Sequence, residues 1–351
     1  MSGNTFGSIF KITTFGESHG PALGVTLDGV PAGIELTAED IQKELDRRRP
    51  GQSILTTQRQ EADAVEILSG VFENTTTGTP LALLIRNTDQ RSRDYGNLAE
   101  IFRPGHADYS FFAKYGIRDY RGGGRSSGRE TAARVAAGAV AKKLLAKENI
   151  MIRACTSAIG GIKAEQFDWD FVEKNPVRTA DPEKAEAMAA AIDQARMSLD
   201  SIGGMIECRI ANVPAGWGEP VFDKLDALLA HAMLSLGAIK GIEFGDGFAA
   251  AQVRGSQNND SPTPEGWGSN HAGGILGGIS NGAEIVFKLA VKPTPSIAQE
   301  QITVDKHNQV VKCAIHGRHD PCLCPRMVPV VEAMAAIVLA DMMLRNKSSK
   351  Y

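Results

Sequence analysis

The sequence predicts a mixed α and β fold. Short apolar, β-branched runs alternate along the chain with longer segments rich in helix formers, and no clear linker separates them. No repeat of fixed period is present, and the pattern leaves the strand order open.

Seven runs read as strands: IFKITTF (9–15), LGVTLDG (23–29), EILSGV (66–71), LALLIRN (81–87), MIRAC (151–155), MIECRI (205–210) and EIVFKLAV (284–291). Helices are expected over Ala38–Arg48, with Thr37 as its cap, and over 131–148, 182–199, 222–236 and 330–345. The most apolar stretch, 328–344, is interrupted by Glu332 and Asp341 and is short for a membrane span, so it reads as a buried C-terminal helix. The tail after it, about 346–351, is expected to be flexible.

At 351 residues the chain suits one large domain or two related halves, and it is taken as a single domain over 1–351. Its hydrophobic content of 42% and charged content of 23% are those of a soluble globular protein. A net charge of −3 speaks against a general nucleic-acid or membrane-surface binder. The opening MSGNTFGSIF has no basic segment followed by an apolar run, so no signal peptide is read there. Cys155, Cys208, Cys313, Cys322 and Cys324 are odd in number and unevenly spaced, which fits a reducing cytoplasm better than a disulfide framework.

The segment RDYRGGGRSSGRETAAR carries the clearest chemical signal. Arg118, Arg121, Arg125, Arg129 and Arg134 surround a glycine run that leads into an alanine-rich helix. Ser127 and Glu130 stand in the spacing of a capping box. Free N–H groups and the positive end of the helix dipole then favour an anion, and guanidinium forks fit phosphate or carboxylate. The loop is not a P-loop, because no Gly-Lys-Ser/Thr follows, and it does not match G-x-G-x-x-G. An ordinary surface loop with solvated arginines is the plain alternative.

Arginine usage favours the anion reading. Thirteen arginines but one lysine, Lys114, fall between Arg47 and Arg134, whereas sixteen of the seventeen lysines lie elsewhere. That choice suits bidentate recognition. Ten acidic residues share the stretch and leave an excess of only four positive charges, too weak a footprint for a duplex-binding face. A small ligand with several negative groups is the better partner. An arginine-rich RNA- or polyanion-binding protein is the alternative from another class.

His19 in FGESHGPALG, His106 in RPGHADYS and His319 in GRHDPCLC sit in polar loops, where general acids and bases are commonly placed. His316, His319, Cys322 and Cys324 raise a zinc reading, but their spacing matches no usual zinc pattern and no metal is expected. Arg318 and Asp320 then read as a polar pair in an active-site loop. A further segment, SNHAGGILGGISNGAEIVFKLAVKPTPSI, joins close-approach glycines to a strand; it suits a flat ligand or, equally, a tight turn.

FGESHG, LDRRRPGQS, RPGHADYSFFAKYGIRDYRGGGRSSGRETAARVAAGAVA, AIKGIEFGDGF, NHAGGILGGISNG, KPTPS and GRHDPC together resemble the chorismate synthases, in family order between residues 7 and 335. The resemblance implies an α+β fold, a β-α-β sandwich of two pseudo-equivalent halves, assembled as a homotetramer. It implies a cytoplasmic lyase that eliminates phosphate from 5-enolpyruvylshikimate 3-phosphate in a 1,4-anti sense to give chorismate, the last step of the shikimate pathway. Reduced FMN is required without net redox change. The compact length favours members that depend on external reduced flavin, so NADPH would enter only through a flavin reductase. No nucleic-acid or membrane partner is implied.

Carried over position by position, His19 is similar to the histidine that protonates the departing phosphate, His106 to the one beside the flavin, and Asp320 to the carboxylate that helps flavin N5 act as base. The resemblance places substrate on Arg48, Arg103, Arg129 and Arg318. It places flavin on Arg125, Ser126, Ser127, Gly237, Ala238, Gly277, Lys292, Pro293, Thr294, Pro295, Ser296 and Arg318. Two positions depart from the family pattern: Ile54 stands where many members carry Arg, with Arg49 or Arg59 as substitutes, and Gly237 stands where Asn is common.

Overall fold

The structure is a computed structural model that describes residues 3–57, 59–89, 98–315, 317 and 319–350. The first half comprises β1 (Thr5–Phe6), β2 (Lys11–Gly16), β3 (Ala22–Asp28), α1 (Ala38–Arg48), β4 (Val65–Ser69), β5 (Val71–Phe72), β6 (Thr75–Thr76), β7 (Leu81–Arg86), α2 (Asp108–Tyr115) and α3 (Thr131–Ala146). The second begins with β8 (Met151–Ile159), β9 (Ile162–Lys163), α4 (Ala185–Met197), β10 (Gly204–Ala211), α5 (Leu225–Leu234) and β11 (Ile239–Phe244). It continues with α6 (Gly255–Asn258), β12 (Pro262–Thr263), β13 (Gly266–Trp267), β14 (Ile275–Leu276) and β15 (Ile279–Ser280). The last elements are β16 (Ile285–Val291), β17 (Gln301–Val304), β18 (Val310–Cys313) and α7 (Cys324–Asn346).

Each half contributes one five-stranded antiparallel sheet, in the orders β1-β2-β3-β7-β4 and β11-β16-β10-β8-β9. Helices α3 and α7 pack on each other between the sheets, α3 against β2, β3 and β7 and α7 against β8 and β10. This is the expected β-α-β sandwich. Its central layer works because α3 is rich in small residues. A Cβ added at Gly138 would come within 2.3 Å of the Ala333 Cβ, so the two helices approach more closely there than any larger residue permits.

Helix α7 is apolar enough to cross a membrane by length and composition, with mean hydropathy 2.0, but 94% of that stretch is buried inside the protein. It is the core of the sandwich. Its two buried carboxylates are both engaged. Asp341 accepts the backbone N–H groups of Ser8, Ile9 and Phe10 at 3.0, 2.6 and 2.9 Å, pinning the entry to β2. Glu332 accepts from Arg47 Nη1 at 2.6 Å, Lys142 Nζ at 2.7 Å and Ala154 N at 3.1 Å, tying α1, α3 and β8 to α7. Burial alone would raise the Glu332 pKa; Lys142 and Arg47 outweigh it and bring it down to about 2.

All seven expected strands form, and Thr37 caps α1 in a capping box with Asp40. Several features differ from expectation, and three of them bear on the core and the cleft. Helix α7 starts at Cys324, six residues early, with Pro329 inside it. Pro329 has no N–H to give the Pro325 carbonyl, and buried Arg178 donates to that carbonyl instead through Nη1 at 2.7 Å. Strand β11 and helix α2 were not expected, since Gly241 interrupts the apolar run of the first and α2 spans only eight residues.

Candidate active site

The glycine-rich loop between α2 and α3 forms the floor of a cleft of about 630 Å³. Gly122 adopts φ +138, and a Cβ there would lie 2.3 Å from His19 Nδ1, so only glycine lets the His19 ring rest on the loop. The expected capping box is not formed. Ser127 Oγ accepts from Arg129 N at 3.2 Å, while the Glu130 carboxylate accepts from Thr14 Oγ1 and Arg134 Nε, both at 2.7 Å. Two 3₁₀ turns, Gly124–Ser126 and Gly128–Glu130, precede α3, and the N–H groups of Ser126, Ser127 and Glu130 are bonded within them. The loop therefore offers fewer free N–H groups than its sequence suggested, and its arginine side chains become the main donors.

Those arginines are held by buried carboxylates. Asp63, fully buried at φ +49, accepts from Arg48 Nη1 at 2.9 Å through one oxygen and from Arg129 Nη1 through the other. Burial opposes ionisation of Asp63, but Arg48 and Arg129 outweigh it and lower its pKa. Arg48 also bonds Thr131 Oγ1 and the Gly128 carbonyl. Arg129 Nε bonds Asn87 Oδ1 at 2.9 Å, while its buried Nη2 lies 3.8 Å from Glu61 Oε2 and has no hydrogen-bond partner among the described residues. Arg103 makes a bidentate pair with Asp108 at 2.7 and 2.8 Å. Arg125 is anchored on the Gly16 carbonyl and on Thr14.

The candidate acid–base residues line the same cleft. Ser18 Oγ lies 3.0 Å from His19 Nδ1. His106 Nδ1 lies 2.9 Å from Asp108 Oδ1. Asp320 accepts from Thr57 N at 2.8 Å and Arg326 Nη1 at 2.5 Å, and its carbonyl accepts from Thr294 Oγ1 at 2.7 Å. His319 is held neutral: burial first, then Arg103, bring its pKa to about 4, and its Nε2 has no hydrogen-bond partner among the described residues.

Of the residues singled out from sequence, His19, His106, Asp320, Arg48, Arg103, Arg129, Arg125, Ser126, Ser127, Gly237, Ala238, Lys292, Thr294, Pro295 and Ser296 line this one cleft. Pro293 and Gly277 do not; Gly277 sits at the turn of the β14–β15 hairpin. Arg318 lies outside the described residues. Arg118 and Arg121 turn away to the Leu98 and Ile101 carbonyls and to Asp119. The sequence reading missed Arg326, which lines the cleft, and the carboxylates Asp63, Glu61 and Asp108 that orient its cations; Arg59, named as a substitute for position 54, lines the cleft as well. Asp63 and Glu61 share the segment QEADAVE, where charged residues flanking a strand were the available signal.

A second cavity, of about 440 Å³, surrounds Glu332, Arg47 and Lys142. Glu44, Arg47, Lys142 and Glu332 in it are bonded to one another, which makes it a brace between the halves.

Acid–base side chains among inward-braced arginines make an enzyme cleft for a small, multiply charged anion; a polyanion-binding surface would carry its arginines outward. Sequence and structure comparison names the kind. The chorismate synthase family model matches residues 10–344. A chorismate synthase of Methylobacillus flagellatus is 56% identical over 349 residues, 99% of this chain and 97% of that protein. A crystal structure of chorismate synthase superposes with a TM-score of 0.77 at 35% identity, covering 97% of this chain and 93% of the other. The chain belongs to the chorismate synthase family, whose members are carbon–oxygen lyases of aromatic biosynthesis.

Proposed function

We propose that this cleft eliminates phosphate from 5-enolpyruvylshikimate 3-phosphate to form chorismate, with reduced FMN bound beside the substrate. The observation that carries the reading is a set of buried nitrogens on cleft-lining residues that have no hydrogen-bond partner among the described residues: Arg129 Nη2, which has only the Glu61 carboxylate at 3.8 Å, Arg326 Nε and His319 Nε2. Buried guanidinium donors such as those of Arg129 and Arg326 are costly without acceptors, and a ligand bearing a phosphate and two carboxylates supplies acceptors.

The donor set also fits a flavin phosphate and ring. Arg125, Ser126 and Ser127 lie on the loop, while Gly237, Ala238 and the 292–296 segment form a wall. That wall is rigid: Lys292 N bonds the Ala238 carbonyl at 2.9 Å and Lys292 Nζ bonds the Gly105 carbonyl at 2.7 Å. A side chain at 237 would meet nothing nearer than Ser126 O at 3.8 Å, so this glycine leaves room and only backbone groups for the flavin. When bound, reduced flavin supplies electron density to the substrate's unsaturated system and a basic nitrogen.

The protein's own groups do the rest. His19 gives its proton to the departing phosphate, which Arg129 and Arg48 hold. His106 works at the flavin side of the cleft. Asp320, paired with Arg326, sits near the flavin's basic nitrogen and helps it act as base. For the arginine common in relatives at position 54, Arg59 is the substitute: it lines the cleft, is fixed by Glu61 at 2.6 Å and reaches the Ser18 carbonyl, whereas Arg49 is solvent-facing beside Asp46 and Ile54 is 72% exposed. One continuous core cluster spans both sheets, which supports a single domain. Free buried cysteines support a cytoplasmic enzyme, and family resemblance supports a homotetramer.

An anaerobic assay with reduced FMN and 5-enolpyruvylshikimate 3-phosphate, followed by chorismate absorbance, tests the proposal. Turnover at an ordinary enzymatic rate is expected; a folded protein that binds both ligands without forming chorismate would overturn it.

A further inference from the structure

Asp108 is the first residue of α2, where an acidic side chain ordinarily serves the exposed N–H groups of the helix start. It does not do so here. Ala107 holds the cap position with no side-chain bond, and the Asp108 carboxylate, only 4% exposed, faces three cationic or ionisable groups of the cleft region. Its Oδ2 accepts from Arg103 Nε at 2.7 Å and Arg103 N at 3.2 Å. Its Oδ1 accepts from Arg103 Nη2 at 2.8 Å, meets His106 Nδ1 at 2.9 Å and lies 3.3 Å from Arg118 Nη1. Arg118 is itself fixed to the Leu98 and Ile101 carbonyls and stacks over Phe102, whose ring packs against Tyr109 and Phe112 of α2.

We propose that Asp108 is a positioning residue that fixes His106 as the Nδ1–H tautomer and, with the same carboxylate, locks the Arg103 fork against the cleft wall. The proposal rests on the reading of His106 and Arg103 as site residues. Both Asp108 oxygens are surrounded by donors, so the His106 nitrogen facing Oδ1 must carry the hydrogen and Nε2 becomes the atom presented to a ligand. The carboxylate stays ionised throughout the working range. Burial opposes this, but the bonds from Arg103 and His106 outweigh it and lower its pKa. His319 and Asp320 line the same cleft, and neutral His319 adds no cation to compete for Asp108.

An amide cannot copy this arrangement. With the Asn oxygen at the Oδ1 position, its NH₂ opposes Arg103 Nε; flipped, it opposes His106 Nδ1–H and inverts the tautomer. Asp108→Asn is therefore expected to lower kcat about a hundredfold or more, the scale of a misplaced acid–base group, with a smaller change in KM. The decisive readout is independent of turnover. In histidine-labelled full-length protein, with His106 assigned by comparison with His106→Gln, ¹⁵N spectra above the imidazole titration should show Nδ1 protonated. Asp108→Asn should lose that preference, and Asp108→Glu, which keeps the charge, should recover part of both tautomer and kcat. Nε2-protonated His106 in the wild type overturns the proposal, and this measurement stands even where Asp108→Asn fails to fold. An unchanged tautomer and kcat in folded Asp108→Asn also overturns it. If wild-type protein shows the Nδ1–H form but makes no chorismate, the proposed function fails and the positioning role survives.

Discussion

Arg326, in the first turn of α7, donates to Asp320 at 2.5 Å and so joins the core helix to the loop that carries the carboxylate. The other oxygen of Asp320 accepts from Thr57 N, so both of its partners are donors. Asn in its place keeps the shape but turns an NH₂ toward one of them. Asp320→Asn should bind oxidised FMN and substrate yet lose about a hundredfold in turnover, with a larger isotope effect at substrate C6. Wild-type turnover with an unchanged isotope effect would reduce Asp320 to a loop anchor.

Arg129 shares Asp63 with Arg48, and its buried Nη2 has no hydrogen-bond partner among the described residues. A charge-assisted bond to a ligand is worth about 1.5–3 kcal/mol, so Arg129→Ala should raise KM roughly tenfold to a hundredfold. Removing it also leaves Asp63 with Arg48 alone, and the melting temperature should fall. Arg129→Lys keeps the charge without the fork and should lie between the two. Steady-state kinetics showing an unchanged KM in Arg129→Ala would place the substrate elsewhere.

His19 rests on Gly122 and His106 on Asp108, from different elements on the same cleft. His19→Ala and His106→Ala should each lose about 10²–10⁴-fold in kcat while still binding FMN. Near-normal turnover in either variant would assign that ring a packing role only.

Glu332 makes a pH prediction. Its folded pKa of about 2 lies below the ordinary value of 4.5, so its stabilisation is present above about pH 4.5 and is lost as pH falls toward 2. The shift corresponds to on the order of 3 kcal/mol. Urea midpoints of wild type and Glu332→Gln, measured from pH 6 down to 2.5, should converge on the acid side. Parallel curves would show that Glu332 is not the titrating brace.

The fold was legible wherever local pattern decided the element. All seven expected strands form because each carries its apolar alternation within itself. The start of α7 was not legible, since a buried arginine 147 residues away takes over the carbonyl that Pro329 cannot bond. The site was half legible for a similar reason. Its histidines and Arg103, Arg125 and Arg129 stand in conspicuous loops, but the acidic residues that seemed merely to cancel charge are groups that orient its cations. Asp63 and Glu61 come from the segment before β4, and which arginine each would meet depends on how that segment folds over the loop before α3.

The central claim, that this cleft carries out a redox-neutral elimination, is tested most directly by measuring chorismate, inorganic phosphate and flavin redox state together in one anaerobic reaction. The account predicts chorismate and phosphate formed one to one over many turnovers, with the flavin as reduced at the end as at the start. Phosphate released without chorismate, or flavin oxidised in proportion to product, would contradict it.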